Sequence, residues 1–136
     1  MSFRKVKGKT KDVYLPVTPS TALPARSIVT FSSGKLVAAT AGTLAPNLAG
    51  VLVGAITAQD EDYALDRLVA VEVPVEKNVI YEFPTTGLVA TDIGVDVDLA
   101  DNVSVDRSAT TIGVVRPTKV LSATLGQGLL KINGAY

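Results

Sequence analysis

Residues 68–75 read LVAVEVPV, and this stretch constrains the fold more than any other part of the chain. Val69, Val71, Val73 and Val75 alternate with Leu68, Ala70, Glu72 and Pro74. Successive side chains of a β-strand point to opposite faces, so one face of this strand is wholly valine. The pattern predicts a strand whose valine face lies in a hydrophobic core.

The rest of the chain has the same character. It holds twenty Val and fourteen Thr against one Met and no Trp, and β-branched residues favour pleated strands over helices. Residues 27–39 predict a hairpin with its turn at Ser32-Ser33-Gly34-Lys35, and turn residues recur about every 8–12 positions along the chain. The sequence therefore predicts an all-β fold, a small β-sandwich or barrel. The residues predicted to be buried are Val69, Val71, Val73, Val95, Val97, Ile112, Val114 and Ile132.

The N-terminal segment differs from the rest in charge. It carries five of the thirteen basic residues, and no acidic residue precedes Asp12. We interpret residues 1–17 as an extended N-terminal arm and residues 18–136 as a β-rich domain. The arm is expected to bind a partner by strand addition or by charge, and the alternative is a frayed terminus. The candidate partner-binding residues are Arg4, Lys5, Lys7, Lys9, Lys11, Val13, Tyr14, Leu15 and Val17.

Catalytic chemistry has little support in the residues. The chain has no Cys and no His, which excludes thiol nucleophiles, imidazole bases and zinc-finger ligand sets. Gly126-Gln127-Gly128 is interpreted as a turn before the last strand rather than a phosphate loop. We expect no enzyme, no cofactor and no membrane span, and scattered aromatic residues argue against nucleic-acid recognition.

Two acidic clusters raise the alternative of a calcium site. The first comprises Asp60, Glu61, Asp62 and Asp66, and the second comprises Asp96, Asp98 and Asp101. Calcium binds several oxygen ligands, but neither cluster matches the twelve-residue calcium loop. We therefore expect solvent-exposed carboxylates, with no metal bound. Whether the loop from Asp60 to Asp66 binds an ion stays open.

Five stretches together resemble a known family: residues 48–54, 68–75, 93–97, 111–115 and 128–132. In composition and order they are similar to the capsid decoration, or cement, proteins of tailed bacteriophages, such as the head decoration protein of phage lambda. The resemblance covers roughly residues 12–136. The acidic segment at residues 59–67 departs from the smallest members of that family.

The resemblance implies a structural virion protein rather than an enzyme. Members bind the outer capsid surface as homotrimers and hold neighbouring major capsid subunits together, so the expected partner is a major capsid protein and the expected location is the virion. The alternatives are another virion β-module, such as a head fibre base, tail component or adhesin domain, and a β-barrel that binds nucleic acid or a ligand through the basic arm.

Overall fold

The computed structural model describes residues 2–44, 47–76 and 78–132. Within them the chain is nearly all-β, which confirms the predicted fold class, and it contains a closed five-stranded barrel. The strands are β1 (Arg4–Lys7), β2 (Thr10–Val17), β3 (Ile28–Ser32), β4 (Lys35–Ala38), β5 (Leu48–Leu52), β6 (Arg67–Pro74), β7 (Ile80–Pro84), β8 (Asp98–Leu99), β9 (Val105–Asp106), β10 (Val115–Ser122) and β11 (Leu125–Leu130). A short 3-10 helix at Ala90–Asp92 precedes β8. No helix of the described part is long and apolar enough to span a bilayer.

The barrel has the strand order β2-β4-β3-β5-β6. The antiparallel ladder between β2 and β6 runs from Thr10 opposite Pro74 to Val17 opposite Arg67. Val17 also pairs in parallel with Leu36 of β4, and this contact closes the barrel. The valine alternation places Val71 and Val73 in the barrel core, as the sequence predicted.

A four-stranded antiparallel sheet, in the order β1-β7-β11-β10, forms a second core with barrel residues. Tyr81 and Phe83 of this sheet belong to the same buried cluster as Ile28 and Val51 of the barrel. Phe3 lies in this cluster with its ring centroid 6.3 Å from that of Phe83. The small β8–β9 ribbon adds Leu99 and Val105 to the same cluster, so both layers contribute to this second core.

The predicted hairpin is present as β3 and β4. Its two central residues, Ser33 and Gly34, have φ values of 52° and 80°. Positive φ at both positions is typical of a type I′ turn, whose twist matches that of paired strands. Gly34 adopts this conformation without a Cβ penalty, which explains its place in the sequence.

The predicted arm is the main correction to the sequence interpretation. Residues 10–17 are not an appendage outside the domain, because β2 is a barrel strand paired with β6 along its whole length. β1 pairs with β7, and the side chain of Phe3 is fully buried. The basic segment was not expected to become ordered by itself. Main-chain pairing and the burial of Phe3 offset the entropy cost of ordering it. A boundary at residue 17 would cut through the barrel.

The predicted core needs two corrections, the first being that Val75 of the valine face is 49% exposed. Val97 and Val114 are buried, and Val69, Ile112 and Ile132 pack partly buried against the core clusters. Val95, however, is 41% exposed, because the regular strand begins only at Asp98 and does not extend back to residue 95.

The Gly126-Gln127-Gly128 segment was predicted to be a turn, but it lies inside β11. A Cβ on Gly128 would lie 2.2 Å from the Arg116 carbonyl oxygen, and one on Gly126 would lie 2.5 Å from a Leu88 methyl carbon. These glycines allow close strand packing rather than a change of direction.

Candidate interaction surfaces

A partly buried polar junction links the barrel to the four-stranded sheet. Glu72 Oε1 on β6 accepts hydrogen bonds from the Tyr81 hydroxyl at 2.9 Å and from Arg26 Nη2 at 2.8 Å. Arg26 Nε also donates to the Phe3 carbonyl at 3.1 Å. Burial alone would raise the pKa of Glu72, but the hydrogen bonds from Arg26 and Tyr81 outweigh it and hold the pKa below its usual value. The junction holds the surfaces of both layers in a fixed relation.

The apolar candidates of the N-terminal segment face different ways. Val13 and Leu15 pack partly buried against the barrel core, and Val17 is buried. These three side chains stabilise the barrel and are not presented to a partner. Tyr14 lies between them on the outer face and is 66% exposed. Of the four apolar candidates, Tyr14 is thus the one that a partner can reach.

The basic candidates lie on and near β1 and are exposed. Arg4 Nε donates to Glu82 Oε2 at 2.8 Å, and Lys5 Nζ donates to Thr10 Oγ1 at 3.0 Å. Lys7, Lys9 and Lys11 are also exposed. β1 is an edge strand of its sheet, and lysines on an edge oppose unwanted strand pairing. The structure brings the five cations together around the start of the β2–β6 ladder.

An exposed apolar surface, here named the barrel face, comprises Tyr14 on β2, Leu68 and Ala70 on β6, and Val53 just after β5. Tyr14 on β2 stands opposite Ala70 on β6, and the Ala70 carbonyl accepts a hydrogen bond from Val53 N. Leu68, two residues before Ala70, is 62% exposed and stands opposite Pro16. Single exposed apolar side chains are ordinary, whereas neighbouring ones mark interaction sites.

A groove borders the barrel face where β5 and β6 separate. It is open to solvent, has a volume of about 320 Å³ and is lined by Val53, Ile56, Val69 and Arg67 among others. Val53 N donates to the Ala70 carbonyl, and the chain then turns away so that Ile56 pairs with Leu23. In the described part of the chain, Arg67 Nε is a buried side-chain nitrogen with no hydrogen-bond partner.

The first acidic cluster is held by cations of the same chain. Arg67 pairs with Asp62 and, at 3.2 Å, with Asp60, while Lys35 Nζ lies 2.6 Å from Asp66 Oδ1. The backbone N–H of Thr57, followed by Arg67, holds the pKa of Asp60 below its usual value. Over residues 2–44, 47–76 and 78–132, no group of three or more acidic side chains is placed to hold a metal ion.

The second acidic cluster is divided among three local roles. Asp98, predicted to point to solvent, is buried and accepts backbone N–H bonds from Ile112 at 2.9 Å and Gly113 at 2.7 Å. Asp96 pairs with Arg116, which chiefly holds its pKa below the usual range. Asp101 accepts hydrogen bonds from Val103 N and Ser104 Oγ in a turn.

A second exposed apolar surface, here named the sheet edge, lies beside β10. Leu88 N donates to the Ala123 carbonyl and Gly94 N donates to the Pro117 carbonyl, so residues 88–94 run along β10. Four large apolar side chains are exposed in this region: Val89, Ile93, Val95 and Leu121. The sequence interpretation missed this surface, since Val95 was expected in the core. Residues 95–99 read VDVDL and alternate without a break, so no local signal in the sequence indicated this surface.

Comparison with known proteins identifies no family for this chain. The chain matches no protein-family model, and no curated protein matches it. The features relevant to function are therefore those of the chain itself: two exposed apolar surfaces on different sheets, and charges of opposite sign at the two ends of the β2–β6 ladder.

Proposed function

We propose that this chain is a structural virion protein that decorates a bacteriophage capsid. It binds the outer capsid surface as a homotrimer and holds neighbouring major capsid subunits together. The proposal combines the all-β fold with the resemblance to cement proteins described above. The observation that carries it is the presence of two separate exposed apolar surfaces, the barrel face and the sheet edge.

A cementing protein needs at least two contact surfaces, because it must touch more than one neighbour at a time. The barrel face and the sheet edge belong to different sheets, and the junction at Glu72 joins those sheets rigidly. Many identical weak contacts on a particle then add through avidity. We assign the sheet edge to the capsid subunit, because its four apolar residues lie along an edge strand that carries Leu121.

The sheet edge also has features that limit unspecific pairing. Pro117 lies in β10, and the register with β11 shifts at two places along the strand. Bulges and proline on an edge oppose simple strand addition. The proposed contact with the capsid is therefore made by side chains such as Ile93 and Leu121, and strand addition by an N-terminal arm is not part of the proposal.

Cosedimentation with capsid particles assembled without this protein tests the proposal. Wild-type protein is expected to pellet with the particles and to raise the temperature at which they release DNA. The double variant Ile93→Asp, Leu121→Asp should stay in the supernatant, because it places charges on the apolar contact. Leu44→Asp is the control, since Leu44 is also exposed but lies in the loop between β4 and β5.

Each result has a defined meaning. Failure of the wild-type protein to bind capsids overturns the proposed function, and binding to tails instead supports the alternative of a tail module. Binding by the double variant at wild-type level overturns the assignment of the sheet edge. Thermal melting of each variant in the free state confirms that the exposed substitutions leave the fold intact.

A further inference from the structure

Charges of opposite sign lie at the two ends of the β2–β6 ladder. The lysine end comprises Lys5, Lys7 and Lys9, which surround the start of β2 where Thr10 stands opposite Pro74. The acidic end comprises Glu61, Asp62 and Asp66, in the loop that leads into β6 where Val17 stands opposite Arg67. The eight-residue β2 separates the two ends by roughly 23 Å at about 3.3 Å per residue.

This separation prevents the two ends from neutralising each other within one molecule. The Debye length is about 8–10 Å at physiological ionic strength, so charges roughly 23 Å apart at the surface are largely screened. Ion pairs within each end reduce the net charge of that end but do not change its sign. At the lysine end, Arg4 pairs with Glu82, and Glu76 Oε1 accepts a hydrogen bond from Lys9 N at 3.0 Å. At the acidic end, Lys35 pairs with Asp66, and Arg67 pairs with Asp62 and Asp60.

Each end also carries exposed apolar side chains among its charges. Val6 and Val75 are 43% and 49% exposed at the lysine end, where Val75 N donates to the Lys9 carbonyl. Leu65 and Leu68 are 60% and 62% exposed at the acidic end. An apolar centre with a charged rim is the usual composition of a protein interface. The two ends therefore match in apolar content and are opposite in charge.

We infer that copies of this chain associate head to tail, with the lysine end of one copy against the acidic end of the next. Charge complementarity identifies the occupant of each end as a second copy, because the same chain supplies both signs. Such a contact is heterologous, and a ring forms where the rotation closes. The inference rests on the proposed homotrimer and identifies its interface, but it requires no capsid for its test.

Charge-reversal variants test the inference in solution. Variant A carries Glu61→Lys and Asp66→Lys, and variant B carries Lys7→Glu and Lys9→Glu. All four side chains are exposed, so melting temperatures are expected to stay close to that of the wild type. Analytical ultracentrifugation is expected to show a self-association constant weakened by about tenfold or more for each variant, because like charges then face each other. Lys119→Glu, on β10 away from both ends, is the control.

An equimolar mixture of the two variants gives the sharpest result. In a mixed pair, the new lysines at the acidic end of variant A can meet the new glutamates at the lysine end of variant B. The unaltered lysine end of variant A can likewise meet the unaltered acidic end of variant B. A ring of three cannot alternate two variants throughout, so the mixture is expected to form mixed A–B pairs that neither variant forms alone, without regaining the complete wild-type trimer. Increasing salt should weaken association of the wild type and of the mixture alike.

The outcomes separate this inference from the proposed function. A wild-type assembly that neither variant weakens, or variants whose mixture stays dissociated, would overturn the head-to-tail contact. A wild-type chain that is monomeric at all concentrations would overturn it too. Cosedimentation with capsids remains a separate readout, so capsid binding by a chain without this contact would leave the proposed function standing. Variants that dissociate, yet bind a capsid normally, would show that the ends meet each other and not the capsid.

Discussion

The Tyr81 hydroxyl lies 2.9 Å from Glu72 Oε1 and donates a hydrogen bond to it across the interface between the four-stranded sheet and the barrel. Arg26, whose φ of 60° is unusual for a residue with a side chain, binds the same carboxylate. The charged acceptor strengthens both bonds, and burial of the Tyr81 ring keeps water from replacing them. This contact therefore adds a polar link between the two layers to the hydrophobic cluster that they share.

Replacing Tyr81 with Phe should lower the free energy of unfolding by about 1.5–3 kcal/mol, because the buried Glu72 carboxylate loses a donor while the ring is kept. Urea denaturation measures the change. Tyr14→Phe is the matched control, and its effect should stay within about 0.5 kcal/mol because the Tyr14 side chain is exposed. Equal effects of the two substitutions would contradict the role assigned to the junction.

Acid should destabilise the fold through Glu72. Its pKa is held below its ordinary value of 4.5, so its stabilising contribution is complete above that pH and is lost as pH falls through the lower, folded value. The pKa values of Asp92 and Asp96 are lowered chiefly by Arg107 and Arg116 and act in the same direction. Denaturant titrations from pH 6 to about pH 2 should show falling stability. Glu72→Gln should flatten that profile, and an unchanged slope would argue against Glu72 as a contributor.

Gly128→Ala should destabilise the four-stranded sheet, since the added Cβ would meet the Arg116 carbonyl oxygen at 2.2 Å. Forcing β10 and β11 apart is expected to lower the free energy of unfolding by about 1–3 kcal/mol. Gly54→Ala is the control, because nothing lies within 4 Å of a Cβ at that position. Thermal melting of both variants decides the matter. A neutral Gly128→Ala would mean that the strands can separate without loss.

Deleting residues 2–17 should prevent folding, because it removes β2 from the barrel and Phe3 from the second core. The remaining chain would expose the β6 edge and the apolar core that β2 covers. Circular dichroism and amide proton exchange should report loss of cooperative structure. In contrast, Lys5→Gln with Lys7→Gln should fold normally, since both side chains are exposed. A truncated chain that folds cooperatively would restore the idea of a separate arm.

The local sequence pattern was sufficient to predict features that depend only on residues close together in the chain. The alternation at Val71 and Val73 predicted a buried face, and Ser33-Gly34 predicted the hairpin turn, because each depends on neighbouring residues. Asp98 could not be predicted in the same way. Its burial depends on backbone N–H groups of Ile112 and Gly113, which only the tertiary fold brings to it.

The candidate surfaces were predictable only in part. Among the partner-binding candidates, Tyr14 is exposed. Its neighbours Val13 and Leu15 pack against the barrel core instead, because the register that turns them inward is set by β6. The sheet edge depends on residues 88–94 lying beside β10, a contact between segments distant in the sequence. The charges at the lysine end could be recognised in the sequence as a basic run. Their distance from Asp66 could be known only from the pairing of β2 with β6.

The β2–β6 ladder also sets the time at which the barrel can form during synthesis. Val17 pairs with Arg67, fifty positions later, and Thr10 pairs with Pro74, sixty-four positions later. At about 5–20 residues per second, β6 follows β2 from the ribosome after roughly 3–13 s. Closing so long a loop is slow, as for other non-local strand pairs. Throughout that interval β2 lacks its β6 partner and can pair only through Val17 with Leu36 of β4, so most of its edge is open to mispairing between crowded nascent chains before the barrel closes.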